Sequence, residues 1–169
     1  PPYLASFIAP ENVVKNRSVF LTQTWNDLYM KYFKQKGEDM NTYFVPGISA
    51  NLNLKRVFVL TTGSTASASE ATISGLMPYM DVIKIGSATY GKYCGAALLM
   101  PTDSNGNRDS EIGNWLLSLV VYKFVNAEGF TEFKNGIAPD YNVEDGGLLR
   151  GIPLGDESDP MVAKALSII

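Results

Sequence analysis

The chain has 169 residues, 46% apolar and 18% charged, which suits one folded domain with a sizeable core and excludes wholesale disorder. Its 14 Lys and Arg against 17 Asp and Glu give a net charge of −3, with no basic run to neutralise phosphates, so nucleic acid is not an expected partner. Histidine is absent, which excludes Ser-His-Asp and Cys-His catalysis, histidine metal sites and histidine proton shuttles.

Acid–base chemistry near neutral pH is left to Lys, Asp, Glu, Tyr or the lone thiol of Cys94, and no cofactor is expected. One cysteine forms no internal disulfide. No apolar stretch approaches the roughly 18 residues that span a bilayer. The chain opens Pro-Pro with neither Met nor a signal-peptide pattern, and reads as a trimmed piece of a longer protein.

In chain order, the apolar residues 3–9 before Pro10 read as the end of a helix, and residues 18–22 (SVFLT) as a strand. Trp25 to Lys36 places Trp25, Leu28, Tyr29, Tyr32 and Phe33 at helical spacing before Gly37, a stripe that predicts a core-facing helix. Lys31, Lys34 and Lys36 then form its solvated face. Residues 56–61 (RVFVLT) are a near-continuous apolar run, as in a strand covered on both faces. Small residues from Gly63 to Ser69, then Glu70, Ile73, Leu76 and Met77, predict a tight turn and a helix.

Strands are predicted at 82–86 (VIKIG), 96–100 and 115–125, separated by a glycine-bearing loop at 87–95 and a turn-rich loop at 102–111. The stretch 126–158, with Gly136, Pro139, Gly146, Gly147 and Gly151, reads as irregular. A last helix starts with Asp159 as N-cap and Pro160 in its first turn, carrying Val162, Leu166 and Ile169 inward. Alternating strands and helices make the chain α/β.

Chemistry concentrates in two places. The turn after 56–61 sets Ser64, Ser67 and Ser69 at a helix start, where free N–H groups and the positive dipole end stabilise a developing oxyanion. Ser and Thr are also ordinary helix caps, and Ser64 or Thr65 followed by Glu70 reads equally as helix-start chemistry; composition leaves both readings open. Without histidine, a serine nucleophile needs a neutral lysine. Of ten lysines, Lys92 follows Thr89-Tyr90-Gly91 just past a strand's C-terminal end, the edge where open α/β sheets place ligands. A solvated loop lysine is the alternative, and Lys84 inside its strand faces either way.

The segment Val59 to Lys92 closely resembles the carboxyl-terminal processing, or tail-specific, serine peptidases, and in particular the envelope members of Bacteroidetes-type bacteria. TASASE (Thr65 to Glu70) and TYGK (Thr89 to Lys92) match the two family motifs without a gap, and serine and lysine stand 25 residues apart as in the family. Asn114-Trp115, NGIAPDYNV (Asn135 to Val143) and LGDESDP (Leu154 to Pro160) continue the likeness to the C-terminus.

The resemblance implies a crotonase-like α/β superhelix, with Ser67 as nucleophile, Lys92 as general base and the Ala68 N–H as one oxyanion donor. It further implies extended protein or peptide tails as substrates, and a bacterial envelope, periplasmic or secreted location. Such a lysine has to be neutral near pH 7, which burial without a carboxylate partner supplies; Tyr90, Tyr93 and Cys94 are the apolar neighbours that would bury it.

Two positions depart from the family. Several members carry a glutamine four residues after the lysine, where this chain has Ala96, and others an aspartate eleven after the serine, where it has Pro78, so no third catalytic group is assigned. The family's second oxyanion donor and its PDZ domain lie upstream. Residues 1–169 are accordingly expected to be one catalytic-core domain from the C-terminal part of a longer protein, incomplete at its N-terminal side and inactive or nearly so alone. No oligomeric state is implied. A non-catalytic scaffold relative and a Ser-Lys hydrolase of small acyl substrates are the rival readings.

Overall fold

The computed structural model describes residues 1–146 and 151–169; Gly147 of the predicted irregular stretch lies outside them. Two short helices, α1 (Pro2–Ile8) and α2 (Glu11–Lys15), meet at Pro10, which lacks the N–H to continue the first. Segment 45–54 is strapped across α1. Leu52 and Leu54 donate their N–H groups to Phe7 and Ile8, and Asn51 Nδ2 donates to Ser6 and Ala9 carbonyls.

β1 (Val19–Trp25), α3 (Asp27–Lys36) and β2 (Asn41–Tyr43) follow. Trp25, expected in the helix, ends the strand, because Asn26 takes the N-cap and accepts the Tyr29 N–H at 3.0 Å. Gly37 closes the helix at φ 70°, with its own N–H on Lys34 and that of Glu38 on Phe33, a Schellman end. The aromatic stripe does not enter the core. Trp25 contacts Tyr29, Phe33 and Tyr122 at ring level, while Leu28 is 74% exposed and no α3 residue is buried. Packing of Tyr29 and Phe33 on Trp25 holds this helix on the outside of β1.

β3 (Arg56–Thr61), α4 (Ala68–Leu76) and β4 (Asp81–Gly86) form the β-α-β unit read from the sequence, with β3 and β4 parallel. β5 (Cys94–Leu99) and β6 (Leu117–Val125) pair antiparallel across an exposed, turn-rich loop, and β7 (Tyr141–Asn142) joins β4. The strands make an antiparallel sheet, β2-β1-β6-β5, and a parallel one, β3-β4-β7. β3 is an edge strand. Val57 and Val59 pack on the core while Leu60 is exposed, so the apolar run is covered less completely than its composition predicts.

Helix α4 carries the core between the sheets. Ile73 and Leu76 are fully buried with Phe20, Phe44 and Ile85, each burial worth about 1.5–3 kcal/mol. Gly75 permits a close approach of α4 to β1: a Cβ there would stand 2.2 Å from the Phe20 ring. The last helix, α5 (Pro160–Ser167), starts as expected, with Asp159 accepting from Met161 and Val162 N–H groups. Its buried residue is Met161; Val162 is half-buried, and Leu166 and Ile169 face solvent. Helix α5 packs against β3 and β4, with Met161 reaching the Gly86 end of β4.

Candidate active site

The turn between β3 and α4 holds Ser67 at φ 56°, ψ −109°, a conformation that costs a non-glycine residue about 1–3 kcal/mol and persists only where its surroundings enforce it. Two groups enforce it. Thr65 Oγ1 accepts the Thr62 N–H at 3.0 Å, and Glu70 Oε2 accepts the Ser67 N–H at 2.8 Å. The cap expected from composition is therefore present, but at Ser67 with Glu70, not at Ser64 or Thr65. Ala68 follows in the first turn of α4, and among the described residues its N–H makes no hydrogen bond, leaving it available at the positive end of the helix.

Glu70 is fully buried and collects four donors. Oε1 accepts from Thr89 Oγ1 and Gly91 N–H, both at 2.6 Å; Oε2 accepts from Ser67 N–H and, at 2.9 Å, from Lys92 N–H. Every acceptor position of a carboxylate is thus filled. One side chain joins the serine motif to the lysine motif. Sequence reasoning assigned Glu70 the helix start alone; its burial and its reach to residues 89–92 are tertiary facts.

The lysine loop is clasped from a second side. Thr89 and Ile137 exchange backbone and side-chain hydrogen bonds, and Tyr90 N–H donates to the Thr65 carbonyl at 2.8 Å. Gly91 and Gly136 allow this contact: a Cβ on either would fall within 2.5 Å of the Lys134 or 2.0 Å of the Thr89 carbonyl oxygen. Lys92 itself is exposed, and its ammonium has no hydrogen bond or ion pair among the described residues. The expected burial by neighbours is not met within this chain. Thr89 turns inward, so Tyr90 turns out, while Tyr93 packs on Phe133.

Lys84, which the sequence left facing either way, is buried and ion-paired with Asp140 at 2.8 Å. Burial works against ionisation of Asp140, but hydrogen bonds from the Lys84 ammonium and N–H, with its charge, hold the carboxyl below the usual range. This pair ties the loop before β7 to β4.

Ser67 opens onto a cavity of about 270 Å³ between α4 and the antiparallel sheet, walled by Ala71, Phe20, Gly95 and Tyr122. On the other side of the α4 start, Ala68, Ser69 and Thr72 line a second cavity of about 420 Å³ against β3 and α1. Among the described residues no cluster of potential metal ligands occurs, and no helix is long and apolar enough to cross a membrane.

Ser67 thus stands in a strained strand-to-helix turn within a mixed α/β scaffold. The chain belongs to peptidase family S41, which it matches over residues 11–143. It is similar in structure to a Bacteroides fragilis protein assigned to the S41 proteases, with 26% identity and a TM-score of 0.76; the match covers 99% of this chain and 40% of that one. A Parabacteroides merdae protein assigned as a peptidase shares the fold at 19% identity and a TM-score of 0.50, covering 77% of this chain and 36% of its own. So does the photosystem II D1 C-terminal processing protease, at 18% identity and a TM-score of 0.53, covering 90% and 35%. The chain spans well under half the length of each. A search of curated proteins returns no match.

Proposed function

We propose that residues 1–169 are the catalytic core of a serine endopeptidase that cuts unstructured protein tails through a Ser67–Lys92 dyad. The observation that carries this reading is the shared Glu70 carboxylate, which holds the strained serine turn and the lysine loop in one network. A neutral Lys92 takes the Ser67 proton, the alkoxide adds to a peptide carbonyl, and the Ala68 N–H helps hold the oxyanion; the adduct then collapses, breaking the C–N bond as the Lys92 ammonium passes its proton to the leaving amine. Water then hydrolyses the acyl-enzyme with Lys92 again as base. Substrates lie extended against a sheet edge.

The finer expectations belong to the same proposal: a crotonase-like superhelix, an envelope location, and further domains of the parent protein that complete the site. The exposed Lys92 and the outer edge of β3, unpaired among the described residues, support that last point, since a base of this kind has to be desolvated and a free edge accepts another strand.

The same exposure favours a second reading, a peptidase-like scaffold without turnover. A fluorophosphonate separates the two. Full-length protein is expected to label at Ser67, with Ser67→Ala abolishing both labelling and cleavage of an unstructured peptide. No labelling of folded full-length protein sinks the peptidase reading. Residues 1–169 alone are expected to cleave far more slowly than the full-length protein, and equal rates would show that nothing outside them is needed.

A further inference from the structure

We propose that the Thr89 hydroxyl is a positioning group for Lys92, the central link in a relay from the Ile137 N–H through Thr89 to Glu70; the inference rests on the dyad reading above. Lys92 sits in the loop 87–93 between β4 and β5, and Thr89 is the buried residue of that loop. Its hydroxyl donates to Glu70 Oε1 at 2.6 Å and accepts from Ile137 N–H at 2.7 Å. Only a group that is donor and acceptor at once satisfies both neighbours, and the branched Cβ restricts its rotamer.

The hydroxyl is where two loops and a helix start meet. On one side, Ile137 belongs to the segment whose Gly136 lies against the Thr89 backbone too closely for any Cβ. On the other, the carboxylate that Thr89 holds uses its second oxygen to fix the N–H of Lys92 and of Ser67. Removing the hydroxyl leaves the buried Ile137 N–H without its acceptor and Glu70 Oε1 with one donor in place of two. Glu70 keeps its bonds to the Ser67, Gly91 and Lys92 N–H groups but loses its link to the Ile137 segment, and the lysine loop is held less tightly on the serine turn. Thr89 touches no reacting atom; it acts through Glu70 and the loop backbone.

The test uses full-length protein and fluorophosphonate labelling, resolved into the maximal labelling rate and the probe concentration at half-maximum. Thr89→Val keeps the side chain's shape and removes the hydroxyl; Thr89→Ser keeps the hydroxyl. Thr89→Val is expected to lower the maximal rate roughly 10- to 100-fold, the scale of a 1 Å misalignment, with the half-maximum unchanged and Thr89→Ser close to wild type.

Wild-type labelling by Thr89→Val, or a Thr89→Ser protein as slow as Thr89→Val, overturns the proposal. Amide hydrogen exchange at Gly91 and Lys92 is read in parallel and is expected to quicken in Thr89→Val alone; unchanged exchange also overturns it. If wild-type protein does not label, the dyad reading has failed and exchange alone decides whether Thr89 holds the loop. Should Thr89→Val not fold, Thr89→Ala is compared with Thr89→Ser in the same way.

Discussion

Ser67 and Lys92 hang their backbone N–H groups on the same atom, Glu70 Oε2, at 2.8 and 2.9 Å. The two residues are 25 apart in sequence and sit on either side of the α4–β4 crossover. A single buried carboxylate therefore sets the register between the serine turn and the lysine loop, and the charge-assisted character of its bonds makes that register stiff. The arrangement separates two jobs that one motif residue performs, capping a helix and aligning a loop.

Lys92 should be separable from stability. Its side chain is exposed and unpaired among the described residues, so Lys92→Ala is expected to change unfolding free energy by no more than about 0.5 kcal/mol. Peptide cleavage by the full-length protein should nevertheless fall by roughly 10² or more. Lys92→Arg should not rescue it, because a guanidinium does not give up its proton near neutral pH. An active Lys92→Arg protein would remove Lys92 as the base.

Glu70→Gln replaces an acceptor-only group with one that presents an N–H₂ to buried donors. The variant is expected to lose about 3 kcal/mol of stability in urea unfolding, the cost of leaving such donors unsatisfied, and to lose most fluorophosphonate labelling of the full-length protein. A stable, fully labelled Glu70→Gln would show that the loops keep their alignment without the carboxylate.

Gly75→Ala tests the contact between α4 and β1. The new methyl would stand 2.2 to 2.7 Å from three carbons of Phe20, whose ring is fully buried. About 3 kcal/mol of overpacking set against a gain of about 1 kcal/mol in helix propensity predicts a net loss of about 2 kcal/mol. Phe20→Leu in the same chain should return part of it, which a double-mutant cycle measures.

Asp140 gives a pH signature with a defined sign. Lys84 holds its carboxyl below the ordinary value of 3.8 in the folded protein, so its contribution to stability is present above that value and is lost as pH falls through the depressed one. The stability gap between wild type and Asp140→Asn should stay constant from neutral pH down to about 4 and close below it. A gap that widens on acidification would contradict the Lys84 pairing.

What the sequence determined by itself was local. The strand, tight turn and helix at 56–77, the glycine end after Lys36 and the Asp159-Pro160 start of α5 depend on neighbours within a few residues, and turn and cap chemistry is written at that range. The two motifs that carry Ser67 and Lys92, and their separation, were equally legible.

The tertiary structure decided what faces what. Periodicity sees an apolar stripe but not its partner, so it points the α3 aromatics, which pack on Trp25 of β1, and Leu166 and Ile169 at the end of α5 into a core they do not enter. Among the described residues β3 has a free edge, because strand order places one neighbour beside it. Glu70 shows why the rest stayed hidden: a carboxylate three residues into a helix is an ordinary cap in sequence. Folding buries it completely and brings Thr89, Gly91 and Lys92 to its oxygens, and a buried carboxylate is stable only when every acceptor position is filled.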